Sequence, residues 1–138
     1  MADKKISQLT SATTPLTGAE ELALVQSGVT KKTTVEEMKG YKSYVALMTS
    51  PGAVAPVPTI LENTIGNLVW TRDAPGDYYA TLAGAFPASQ TWLSCNPLFI
   101  DDTKTATFIR IDDNTIRLLI PNDDGLISNF PIEVRVYL

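Results

Sequence analysis

From residue 43 onward the chain is a succession of short β-type runs separated by turn residues. Strands are predicted near 43–49, 57–63, 67–72, 77–83, 91–95, 97–100, 105–111, 114–120 and 131–138. Between them stand Pro51-Gly52, Pro56 and Pro58, Ile65-Gly66-Asn67, Pro75-Gly76-Asp77, Gly84 with Pro87, Asp112-Asp113-Asn114 and Asp123-Asp124-Gly125. These residues supply the φ values and side-chain-to-backbone bonds that turns require. Polar and apolar positions alternate within several runs. Ile132, Val134 and Val136 share one strand face, opposite Glu133, Arg135 and Tyr137. Ala106, Phe108 and Arg110 likewise oppose Thr107, Ile109 and Ile111. Short strands without intervening helical periodicity predict a mainly β domain, an antiparallel β-sandwich or jelly-roll-like barrel over 43–138.

Residues 1–42 have another character. Ile6 and Leu9 are isolated apolar anchors in a Ser/Thr-rich stretch that ends at Pro15. Leu22 to Val25 read as a strand, Ser27-Gly28 as a turn, and Val29 to Thr33 as the returning strand. Thr34-Val35-Glu36-Glu37 then matches a capping box, in which the Thr34 hydroxyl and the Glu37 carboxylate each bond the other's backbone N–H. Val35 and Met38 would share one face of a helix of about two turns, which Gly40 stops. So few large apolar side chains cannot hold some forty residues together. This hairpin-plus-short-helix segment must pack on the rest of the chain or dock on a partner.

Composition narrows the function classes. The 138 residues, 44% hydrophobic and 19% charged, suit one globular domain, or one with a small appendage. A net charge of -4 argues against nucleic acid as the main partner. The charge is split: residues 1–42 carry six lysines against five acids, whereas 43–138 carry one lysine and four arginines against ten acids. With no histidine, the Ser-His-Asp and Cys-His nucleophile systems and His-ligated zinc are out of reach. Cys95 stands alone, so no intrachain disulfide forms. The start of the chain lacks the apolar run of an export signal, and no stretch approaches the ~20 apolar residues of a membrane helix. A soluble protein of the cytoplasm, without membrane association, is expected.

Asp101-Asp102, Asp112-Asp113 and Asp123-Asp124 recur every eleven residues. Clustered carboxylates can bind calcium, but the alternating ligands and downstream Glu of a calcium loop are missing, and the interval equals one strand plus one turn. Hairpin tips are the expected role, with no metal or other cofactor. Nothing pairs a desolvated acid with an ionised one as a glycosidase requires, so no enzymatic activity is expected. Trp70, beside Leu68 and Val69, and Trp92, before Leu93, are expected in the core. Exposed Trp or Tyr on such a sandwich could instead stack on sugar rings. Cys95 reads as a small buried hydrophobe.

Three blocks of the first segment occur in a definite order. They are Lys5-Ile6-Ser7-Gln8-Leu9, Leu16-Thr17-Gly18-Ala19-Glu20-Glu21-Leu22, and Val25-Gln26-Ser27-Gly28-Val29-Thr30-Lys31-Lys32 followed by Thr33-Thr34-Val35. Together they resemble the N-terminal attachment module of tailed-bacteriophage virion appendage proteins, of the head-fibre and tail-fibre type. The remainder, ending in Leu126 to Tyr137, resembles the compact β domains that follow that module in short phage proteins. The resemblance implies a structural protein of the virion, assembled in the host cytoplasm and commonly homotrimeric. Its first segment would attach to a capsid, portal, neck or tail protein. No long coiled-coil or β-helical shaft is present, so a head fibre, decoration protein or short fibre is implied. Ile6, Leu9, Leu22, Leu24, Val35 and Met38 are then the expected attachment contacts. The alternative is a carbohydrate-binding module that recognises host-surface glycans from the virion surface.

Overall fold

Backbone chemistry at Ser27 and Gly28 shapes the first ordered element. Their φ values of 53° and 76° fit the two-residue turn whose twist matches that of antiparallel strands. The turn joins β1 (Glu21–Gln26) to β2 (Val29–Thr34) in one continuous antiparallel register, from Glu21 opposite Thr34 to Gln26 opposite Val29. The computed structural model describes residues 21–35, 37–96, 105–121 and 127–138. Ile6, Leu9 and the strand predicted at 97–100 lie outside these residues.

The helix expected after β2 contracts to a single 3-10 turn, Glu37–Lys39, closed by Gly40 at φ 70°. So short a segment gains too few hydrogen bonds to offset helix nucleation, so a longer helix does not propagate. The chain divides into two compact units between Gly40 and Tyr41. Strand β3 (Tyr41–Thr49) begins two residues before the boundary read from charge.

The second unit is an antiparallel β-sandwich of eight described strands. After β3 come β4 (Val57–Asn63), β5 (Val69–Ala74), β6 (Asp77–Thr81) and β7 (Thr91–Cys95). Strands β8 (Thr107–Arg110), β9 (Thr115–Leu119) and β10 (Phe130–Tyr137) complete it. One sheet has the order β4-β3-β10-β7 and the other β5-β6-β9-β8. Each predicted strand within the described residues forms, with ends shifted by three residues at most.

Alternation decides what fills the space between the sheets. Tyr44, Ala46 and Met48 of β3 and Phe130, Ile132, Val134 and Val136 of β10 are buried from one sheet. Trp70, Tyr78, Ala80, Ile116 and Leu118 are buried from the other, with Phe86, Ile120 and Ile127 entering from loops. The buried hydroxyls are satisfied: Tyr78 donates to Ser50 Oγ at 3.1 Å, which donates to the Gly52 carbonyl at 3.0 Å. Trp70 Nε1–H points to the Tyr44 hydroxyl at 3.4 Å. Burial pushes the Tyr44 phenol above its ordinary pKa.

The crossing from β4 to β5 depends on Gly66. Asn63 Oδ1 accepts from the N–H groups of Ile65 and Gly66 at 3.2 and 3.0 Å, and Asn63 Nδ2 donates to the Gly66 carbonyl at 2.9 Å. Gly66 sits at φ 135°, and a Cβ there would lie 3.1 Å from Leu82 Cδ2. Gly66→Ala is therefore expected to destabilise the sandwich by about 1–3 kcal/mol, the cost of a forced backbone conformation plus a tight contact. Urea unfolding measures this, and a loss below about 0.5 kcal/mol, typical of an indifferent surface site, would contradict it.

Candidate functional site

The first unit presents an exposed apolar face. In the β1–β2 hairpin, Leu22 stands opposite Thr33, Leu24 opposite Lys31 and Gln26 opposite Val29. With a period of two, Leu22, Leu24 and Val29 share one side of the hairpin. Leu22 is 43% and Leu24 37% exposed, and Val29 is more exposed still. Thus two of the expected attachment residues come together, and Val29, which sequence reasoning passed over, joins them through its register. Val35 is partly buried and Met38 exposed, both in the turn after β2. No buried residue is found among the described residues of this unit.

The capping box forms as the spacing predicts. Thr34 N–H donates to Glu37 Oε2 at 2.9 Å, and Glu37 N–H donates to Thr34 Oγ1 at 3.1 Å. The Thr33 hydroxyl donates to the same carboxylate at 3.0 Å. The bond from the Thr34 backbone, then that from Thr33, holds the Glu37 carboxyl below its ordinary pKa. A lowered folded value means the cap stabilises the turn above the ordinary carboxylate range and is lost as pH falls through the folded value. In an NMR pH titration, Glu37 is expected to titrate below a free glutamate, and Thr33→Ala to move it upward. An unshifted Glu37 midpoint in the unaltered chain would refute the cap.

A second surface lies on the outward face of the β4-β3-β10-β7 sheet. In β10 the residues between the buried positions face outward: Pro131, Glu133, Arg135 and Tyr137. Arg135 is opposite Trp92 of β7, and Tyr137 is opposite Tyr41 of β3. The Arg135 guanidinium carbon lies 5.1 Å from the Trp92 ring centre and 5.0 Å from that of Tyr41. The Tyr41 and Tyr137 rings are 5.6 Å apart and tilted by 55°. Arg135 Nε donates to Glu133 Oε1 at 2.6 Å, and bonds to Glu133 and then Tyr137 strengthen the guanidinium's hold on its proton.

This arrangement corrects the expectation for Trp92. It is 44% exposed, not buried, whereas Trp70 is a core residue as expected. Leu93 and Cys95 pack against the core, so period-two geometry turns Trp92 and Ser94 to the other face. The signal was present in Trp92-Leu93-Ser94-Cys95, where one apolar run conceals an alternation. Cys95 is half-buried rather than fully buried as expected, and burial raises its thiol pKa.

The opposite sheet carries a related arrangement. Arg117 of β9 grips Asp77 of β6 with two bonds of 2.7 and 2.6 Å, and its guanidinium lies 5.6 Å over the Tyr79 ring. Here the arginine is held against its own sheet by a bidentate partner. Of the Asp pairs, Asp112-Asp113 occupies the β8–β9 turn. Asp112 Oδ1 accepts from Asn114 N–H at 2.7 Å, and Asp113 pairs with Arg110, whose Nε reaches the Phe86 carbonyl at 2.5 Å. That is the hairpin-tip role; the other two pairs lie outside the described residues. Among the described residues no three acidic or cysteine side chains gather as a metal site, and no helix is long and apolar enough to cross a membrane. Comparison with known proteins adds no relative: no protein-family model, no curated protein and no solved structure matches the chain.

Proposed function

We propose that the chain is a structural appendage protein of a tailed-bacteriophage virion, with an attachment unit at residues 1–40 and a displayed β-sandwich at 41–138. The observation that carries this reading is the Leu22, Leu24 and Val29 face, exposed on a hairpin with no buried residue among those described. A two-stranded hairpin is marginal in water without something to cover its apolar side. Docking on a capsid, neck or tail protein would supply that cover, and the sequence blocks around the hairpin are those that resemble phage attachment modules.

Self-association of the displayed unit into a homotrimer belongs to the same proposal. Support comes from edge strand β4, where Val57, Ile60 and Leu61 are exposed. Its backbone is ill suited to continuing a sheet, because Pro58 lacks an N–H and the register shifts at Val45/Ala46. Copies would meet there through side chains.

The test is truncation, comparing incorporation of the full chain and of residues 41–138 into particles. Loss of incorporation by a folded truncated chain supports attachment through the first unit, whereas undiminished incorporation overturns it. A second reading, that the sandwich itself recognises host glycans, is favoured by the exposed rings around Arg135.

A further inference from the structure

The geometry points to a binding site for a neutral oligosaccharide on the outward face of the β7-β10-β3 strands, built from Trp92, Tyr41, Tyr137, Arg135 and Glu133. This deepens the second reading above by naming its site and ligand class. It lies within the sandwich unit and stands or falls apart from attachment through residues 1–40.

The rings are the first argument. A tryptophan that is 44% exposed and a tyrosine that is 45% exposed occupy outward positions of adjacent strands, where polar residues would cost nothing. Strands lie about 4.8 Å apart, so Trp92 and Tyr41, with β10 between them, are separated by about 10 Å across the sheet. Arg135 lies against the ring faces that Trp92 and Tyr41 turn to it, so the ring surface left open on Trp92 and Tyr137 is what a sugar can cover with its C–H groups.

The polar groups are the second argument. Arg135 stands between the two rings, its guanidinium aligned by both and by the Glu133 carboxylate. A planar donor beside an acceptor can engage two neighbouring hydroxyls, one accepting and one donating. Shallow grooves lie at either end of this stretch of β10. The one beside Glu133, of about 330 Å³, includes Val45, Ser94, Pro131 and Glu133 in its lining, whereas the one at the other end, of about 160 Å³, opens past Tyr137 toward the core side, along Lys42, Ile65 and Val136.

Charge selects the class. Glu133 balances the charge of Arg135, and the chain carries a net charge of -4, so an anionic polymer gains little here. Two carboxylates belong to this face: Glu133, paired with the Arg135 cation, and Glu62 of β4, which accepts from the Ser43 hydroxyl at 2.5 Å.

Purified full-length chain is titrated with neutral oligosaccharides of glucose, galactose, mannose and N-acetylglucosamine units, and with sulfated and uronate-containing counterparts, binding being measured by isothermal titration calorimetry. The expected result is binding of at least one neutral series tighter than about 1 mM, weakened about tenfold by Trp92→Ala. Trp92→Tyr, which keeps a ring, should retain binding within a few-fold, and Tyr137→Ala should weaken it should Trp92→Ala fail to fold. Absence of binding by every neutral series would overturn the site. So would affinity that Trp92→Ala and Tyr137→Ala leave unchanged, or binding confined to the anionic series and lost with salt.

Discussion

Phe130→Ala is expected to lower the stability of the sandwich by about 3–5 kcal/mol, the usual loss when a buried phenylalanine is cut back to a methyl group. Phe130 is 1% exposed at the start of β10, directly opposite Met48 of β3. It sits where the chain enters the central strand pair of its sheet, next to Asn129 at a φ of 54°. The cavity would open against Met48, Ile132 and other fully buried side chains, leaving little room for collapse. Against a typical total stability of about 5–15 kcal/mol, such a loss brings the sandwich close to unfolding at ambient temperature. Tyr137→Ala, at the exposed end of the same strand, should cost far less. Urea unfolding of both variants measures the contrast, and a Phe130→Ala loss below about 1 kcal/mol would place the core elsewhere.

Removing residues 1–40 should abolish attachment while leaving the sandwich folded. The physical ground is the distribution of burial: every buried residue among those described lies at Ser43 or beyond. The first strand of the sandwich starts at Tyr41 and is tied along its length to β10 by an unbroken register reaching Tyr137 opposite Tyr41. Truncation at residue 41 therefore removes no core side chain among the described residues and no described strand of either four-stranded sheet. The unfolding free energy of 41–138 should stay within about 0.5 kcal/mol of the transition seen in the full chain, as for changes outside a core. Incorporation into particles should fall to background. An unfolded 41–138 would mean that the sandwich needs the first unit, and the division of labour between them would be abandoned.

Much of this molecule is legible in local pattern because a strand has only two faces. Alternation in Ile132 to Tyr137 assigns the inward and outward residues of β10, and Ala106, Phe108 and Arg110 are more enclosed than Thr107, Ile109 and Ile111. The Thr34–Glu37 capping box and the Ser27-Gly28 turn also close through neighbouring residues, and both form as their spacing predicts. Trp92 was misjudged where neighbouring apolar residues masked the same alternation. The helix after Thr34 fell short because a cap aligns a helix start but cannot lengthen it.

By itself, then, the sequence determined the β class, the positions of the described strands, the turn residues and the inward faces of β8 and β10, but it misplaced Trp92 and overstated the burial of Cys95. Those properties depend on contacts between residues a few positions apart. Only the tertiary structure decided that β10 lies between β3 and β7, because antiparallel strands can pair in many orders that satisfy the same alternation. That pairing brings Tyr41, Trp92 and Arg135 together from distant parts of the chain. The candidate binding face arises from backbone hydrogen bonds whose partners no local pattern names.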